Sequence, residues 1–121
     1  MVTQHSMHDS EFIVLADQAL ADIERKIEAS GLELDYSMVS DGVLEIEFGD
    51  GSRIVVNRHT ATREIWVAGR SGGFHFRRDS SQDKEKEAWR DTKDGRELMA
   101  VLSEMVSAQA RIHTIRTDLS C

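Results

Sequence analysis

The chemistry this chain offers most freely is that of oxygen ligands. Asp17, Glu24 and Glu28 recur at helical spacing, and Glu33 and Asp35 follow closely. Carboxylates are hard ligands that suit ferrous, ferric, manganous, magnesium or calcium ions without selecting among them. On a helix, Asp17, Glu24 and Glu28 fall within roughly 40° of one another, to one side of the apolar stripe. That spacing makes a ridge, whereas a tight site needs ligands converging on one point. It predicts weak, exposed binding of several ions, against the plain alternative of a charged helix face that is merely solvated. The histidines supply no tight site, because no Glu-x-x-His or one-turn His pair lies on a helical stretch. His5 and His8 fall in the flexible start, where His8 beside Asp9 offers a loose ligand at best, and His59 and His113 read as surface residues. The one cysteine, Cys121, reads as an idle exposed thiol; alone it makes neither an internal disulfide nor a cluster cradle. No serine or cysteine sits in a nucleophile motif, and Gly72-Gly73 is a turn rather than a phosphate loop.

The elements that must position these groups are legible from periodicity. Phe12, Leu15, Ala16, Ala19, Leu20, Ile23 and Ile27 form one helical stripe over Asp9 to Ser30, with Asp9 or Ser10 as cap and Gly31 as stop. Alternation then takes over. Strands are expected around Asp35 to Val39, over Leu44 to Phe48, Arg53 to Asn57, Arg63 to Gly69 and Phe74 to Arg78, with a short one at Trp89. Gly49-Asp50-Gly51-Ser52 and Ser71-Gly72-Gly73 are turn signals. The charged run Asp79 to Glu87 reads as an exposed, mobile loop. A second helix is expected from Asp94, with Asp94 and Glu97 at capping-box spacing, and a loose tail after Arg111. The order is helix, five or six antiparallel strands, helix, which allows both helices to cover one sheet face and leaves the other wet.

Pleat alternation assigns that wet face. If Leu44, Ile46, Phe48, Ile54, Val56, Ile65, Val67, Phe74 and Phe76 face the helices, then Glu45, Glu47, Arg53, Val55, Asn57, Glu64, Trp66, His75 and Arg77 face out. Trp66 does not suit a purely solvated face. Beside Asn57 and Arg58 it suggests a protein-binding spot, since Trp and Arg dominate interface hot spots. The alternative is that a neighbouring side chain covers it.

Size and charge bound the rest. The 121 residues, without proline, fit one domain over 1–121, with a core over 9–110 and flexible ends at 1–8 and 112–121. No apolar run approaches the roughly 20 residues of a bilayer span, and the opening residues lack a secretory apolar centre, so the expectation is a cytoplasmic protein. The formal charge is −7. Residues 1–50 hold 12 of the 22 acids but only Arg25 and Lys26 of the 15 bases. Such a half repels nucleic acid and attracts cations or a basic protein surface.

Several stretches together carry a family resemblance. They are Asp9-Ser10-Glu11-Phe12 with Leu15-Ala16-Asp17-Gln18, the hairpin Asp41 to Phe48 and Gly51 to Arg58, Ile65-Trp66-Val67-Ala68, Gly72-Gly73-Phe74-His75-Phe76, and Trp89 followed by Asp94-Gly95 on to Leu102. In this order the chain resembles bacterial frataxins, the CyaY family, over residues 9–110. The resemblance implies an α+β fold, an α-β sandwich of two helices on one face of a five- to six-stranded antiparallel sheet. It also implies weak binding of iron, ferrous or ferric, at Asp17, Glu24, Glu28, Glu33 and Asp35, with no organic cofactor. The implied partners are a cysteine desulfurase and the iron–sulfur scaffold protein, with Asn57, Arg58, Trp66 and His75 on the contacting surface. The implied role is regulation of iron–sulfur cluster assembly by a monomer that is not an enzyme. The alternatives are a ferroxidase, or an iron chaperone or store that oligomerises with iron. Arg25, Ala29, Ser30 and Gly31 make the ridge sparser than is usual in that family.

Overall fold

The computed structural model describes residues 8–79 and 88–119, with side chains through residue 110. Helix α1 (Asp9–Ser30) buries Phe12, Ala16, Ala19, Leu20, Ile23 and Ile27, the stripe that the spacing sets out. Burying one such large side chain contributes about 1.5–3 kcal/mol. Gly31 ends the helix at φ +74°, a left-handed conformation that glycine adopts without a Cβ penalty. The start differs from the expectation. His8 is the capping position, makes no side-chain cap, and gives its carbonyl to Phe12 N at 2.9 Å. Asp9 and Glu11 therefore lie inside the first turn, where their charge suits the helix dipole.

The strands β1 (Asp35–Ser40), β2 (Val43–Glu47), β3 (Arg53–His59), β4 (Glu64–Gly69), β5 (Gly72–Asp79) and β6 (Ala88–Asp91) form one sheet in sequence order, antiparallel throughout. The expected α-β sandwich is the observed one: α1 and α2 (Leu98–Leu119) close over one face. Leu44, Ile46, Phe48, Ile54, Val56, Ile65, Val67 and Phe76 are buried against them, and Phe74 is half-buried. Phe12 meets Trp89 edge-on at 5.9 Å, which joins α1 to β6. Among the described residues, no helix is long and apolar enough to cross a membrane.

Helix α2 begins later than expected and runs further. Asp94 does not cap it. Its carboxylate accepts from Arg96 N at 3.0 Å, and the Asp91 carboxylate accepts from Lys93 N at 2.7 Å. These bonds, with Gly95 at φ +76°, make a turn, and the first helical bond runs from Val101 N to the Glu97 carbonyl at 3.0 Å. Nothing from Leu98 onward breaks a helix, since neither glycine nor proline occurs there. The backbone is accordingly helical to Leu119, where the spacing had suggested a loose tail after Arg111. The expectations for residues 1–7, the loop residues 80–87 and Cys121 fall outside the described residues.

Gln109, Glu64 and Asp91 are the buried polar residues among those described, and Gln109 is the most deeply buried. Gln109 on α2 is 1% exposed; its amide donates to Ser52 Oγ at 2.9 Å and accepts from Arg70 N at 3.2 Å. It thus ties α2 to the β2–β3 turn and the β4–β5 turn. Gly69 lies beneath this junction. A Cβ there would sit 2.9 Å from Ile54 Cγ1 and 3.0 Å from both Gln109 Oε1 and Met105 Cε. Gly69→Ala should therefore lower stability by about 1–3 kcal/mol through overpacking, read as a lower urea midpoint with an unchanged slope.

Candidate functional site

The acidic ridge is built where α1 hands over to β1. Tyr36, on the helix-facing side of β1, donates its hydroxyl to Glu28. That bond holds the end of α1 beside the edge strand. It also raises the Tyr36 phenol to about 12, chiefly through the hydrogen bond to Glu28, then burial, then the charges of Glu28 and Glu24. Glu24 is half-buried along the same helix, while Glu33 and Asp35 are exposed at the turn into β1. Asp35 stands opposite Glu47, so pleat alternation puts it on the outer sheet face and Tyr36 on the inner one. Glu24, Glu28, Glu33 and Asp35 thus flank one edge of the molecule, on both sides of it.

Asp17, at the far end of the ridge, is held differently. Arg58 donates to Asp17 at 2.5 Å and to Asp41 at 2.9 Å, and its side chain is only 10% exposed. Burial alone would lower the Arg58 guanidinium, yet the bonds to Asp17 and Asp41 raise it above its ordinary value. Gly42 leaves room for this cation, since a Cβ there would meet Arg58 Cζ at 2.9 Å. Asn57 and Arg58 were expected on one surface. As strand neighbours they must point to opposite faces: Asn57 faces outward opposite Trp66, and Arg58 reaches α1.

Other acids near the edge have cations too. Asp22 holds Arg25, and Arg53 lies 3.5 Å from Glu45 and 4.0 Å from Glu47. Among the described residues, no Lys or Arg lies within ion-pair distance of Glu24, Glu28, Glu33 or Asp35. Nor do three His, Cys, Asp or Glu side chains among them converge to hold a metal ion. The arrangement is a band of negative charge without Lys or Arg partners among the described residues.

The outer sheet face carries a second constellation. Asn57, Trp66 and His75 stand in one cross-strand row. His59 stacks on one face of the indole at 3.7 Å and His75 on the other at 4.5 Å, with interplanar angles of 9° and 11°. Trp66 is therefore half-buried and covered on both ring faces. Glu64 underlies this stack. It accepts from the Trp66 indole at 2.8 Å, Arg77 at 2.8 Å and Thr62 at 3.3 Å, and is 6% exposed. Burial pushes its carboxyl up, but these hydrogen bonds and the Arg77 charge prevail and hold it below the usual range. His59 and Glu64 did not stand out in the sequence. The available signal was register, since Glu64 shares a face with Trp66 and lies opposite both His59 and Arg77.

An antiparallel meander closed on one side by two helices, with an acidic α1–β1 edge and an aromatic outer face, defines a small α-β sandwich protein. Residues 5–112 match the family model of the Frataxin-like domain, and the chain belongs to that family. It is 54% identical over 104 residues to the iron-sulfur cluster assembly protein CyaY of Dechloromonas aromatica, covering 86% of this chain and 93% of that one. It is 45% identical over 116 residues to the protein of the same name from Janthinobacterium sp. (strain Marseille), covering 93% and 98%. A solved frataxin from Psychromonas ingrahamii superposes with a TM-score of 0.74 at 34% identity, covering 87% of this chain and 93% of that one.

Two measurements check these local arguments. Glu64→Gln keeps an acceptor for Trp66 but removes the charge that Arg77 meets, and should cost about 1–3 kcal/mol at neutral pH. Because the folded carboxyl is held low, that contribution is present above the unfolded carboxyl value and is lost as pH falls through the folded one. Urea melts of the two proteins should therefore converge in acid. Tyr36 is the chain's one tyrosine, so its ionisation can be followed by ultraviolet absorbance. Glu28→Gln should bring its midpoint down from about 12 toward the ordinary 10.

Proposed function

We propose that this protein is an iron-binding regulator of iron–sulfur cluster assembly in the bacterial cytoplasm, and that it docks through its acidic edge on a cysteine desulfurase and its scaffold protein. The observation that carries this reading is the uncompensated set Glu24, Glu28, Glu33 and Asp35, beside a ridge end where Arg58 already engages Asp17. Acids without counter-ions leave a negative potential that attracts metal cations and steers a basic partner into place. The family and the names of the curated relatives point the same way. Iron here is cargo or signal: carboxylates in a row can exchange it, and bound iron would change the charge that the partner meets. Oxidation at a paired-iron centre needs converging carboxylates, and the described residues supply no such set. The outer face, with Asn57, Trp66 and His75, is the second surface proposed to meet the assembly machinery.

Ferrous iron titrated into labelled protein under anaerobic conditions and followed by amide NMR should perturb the end of α1 and the start of β1. Exchanging Glu24 and Glu28 together for Gln should weaken binding about tenfold, a loss of 1.4 kcal/mol. Asp17→Asn should change it less than twofold, because Arg58 already engages that carboxylate. Equal effects of the two replacements, or shifts centred elsewhere, would remove the edge as the iron site. With both glutamates exchanged for Lys, desulfurase binding at moderate salt should be lost.

A further inference from the structure

The two edges of the sheet are treated differently. β6 has four residues, and its free side is covered: Asp91 N donates to the Arg96 carbonyl at 2.8 Å, and Arg90 bridges to Glu97. β1 has six residues and, among the described residues, pairs only with β2. Apart from that ladder, none of its backbone groups is bonded to other backbone among the described residues. Proteins blunt a bare edge with lysine, proline or a mid-strand bulge. Asp35-Tyr36-Ser37-Met38-Val39-Ser40 contains neither residue type, and its register irregularity falls only between Met38 and Ser40, leaving Asp35 to Met38 regular. Leu32, Met38 and Val39, at 44%, 43% and 52% exposure, are three of the four large exposed apolar side chains among the described residues, and all three lie in or beside this strand.

We infer that β1 is a docking strand for an extended, basic segment of a partner protein, which pairs with it as a seventh strand. Main-chain hydrogen bonds supply the attachment, Met38 and Val39 receive apolar side chains, and Glu24, Glu28, Glu33 and Asp35 receive alternating Arg or Lys. Charge decides the occupant. A second copy of this chain would bring another four uncompensated carboxylates to a strand about 4.8 Å away, well inside the Debye length of about 8 Å. A basic segment meets attraction at the same place. The inference uses the acidic edge of the proposed function but not iron.

The test needs a blocked hexapeptide of alternating Arg and Val, and the same peptide N-methylated at every residue. The two carry equal charge, and only the first has N–H groups to donate to a ladder from either edge. With labelled protein free of iron, the plain peptide should slow exchange of the outward β1 amides at least tenfold. The methylated one should bind at least tenfold more weakly. Met38→Lys, which places a cation on the edge, should weaken the plain peptide by a similar factor while leaving the thermal midpoint near that of the parent. Equal binding of the two peptides would show attraction by charge alone and overturn the inference. So would protection centred away from β1, or β1 protection that grows with protein concentration in the absence of peptide, which would assign the edge to a second copy. A negative outcome leaves the iron titration to stand on its own, and a failed iron titration leaves this result unaffected.

Discussion

Side chains along a strand point alternately to opposite faces, and the architecture of this protein is that constraint applied across a six-stranded meander. The inward set, from Leu44 on β2 to Phe76 on β5, is apolar and closes on the buried stripes of α1 and α2. A slip of one residue would turn that set to water and drive Glu45, Glu47 and Arg53 under the helices, so burial enforces register strongly. The same constraint separates Asn57 from Arg58. One is part of the outer row with Trp66 and His75; the other crosses beneath to fasten α1 to the β1–β2 turn through Asp17 and Asp41.

Once register is fixed, the distribution of counter-ions decides what each acid can do. Arg58, Arg53, Arg25 and Arg77 each take up carboxylates that would otherwise add to the surface potential. An exposed pair such as Arg25 with Asp22 contributes little to stability, about 0–1 kcal/mol. Its consequence is electrostatic: the negative charge left over is concentrated beside β1. Glu64 shows the opposite treatment of a carboxylate. It is buried, hydrogen-bonded on both oxygens, and spent on holding Trp66 and Arg77 in place.

Periodicity made most of the fold legible. The α1 stripe, the existence of each strand and the faces that β2 to β5 turn to the helices follow from spacing, because one-sided burial writes a period into the sequence. Helix ends were less legible. Asp94 has the chemistry of a cap, but Gly95 at φ +76° and the Asp91 turn claim that segment, and the helix waits for Glu97. At the site, spacing located the acids but not their partners. That Arg58 holds Asp17, forty-one positions earlier, depends on how the helix lies across the sheet, which no local pattern encodes. The covering of Trp66 by His59 and His75 is likewise a property of three paired strands; the sequence showed an outward indole and left open what lay beside it.

The acidic edge also bears on how an open strand is tolerated. Exposed backbone with Met38 and Val39 on it would ordinarily invite pairing with other copies, and no lysine or proline in β1 guards against that. Like-charge repulsion can guard it in another form, since among the described residues Glu24, Glu28, Glu33 and Asp35 have no Lys or Arg within ion-pair distance. Any second copy approaches with the same sign of charge, and repulsion between like charges discriminates against self-association. A cation or a basic surface meets the reverse. If β1 is the docking strand proposed above, the charge that keeps it open also selects what is admitted to it, and placing one arginine against Glu28 would cost both properties together.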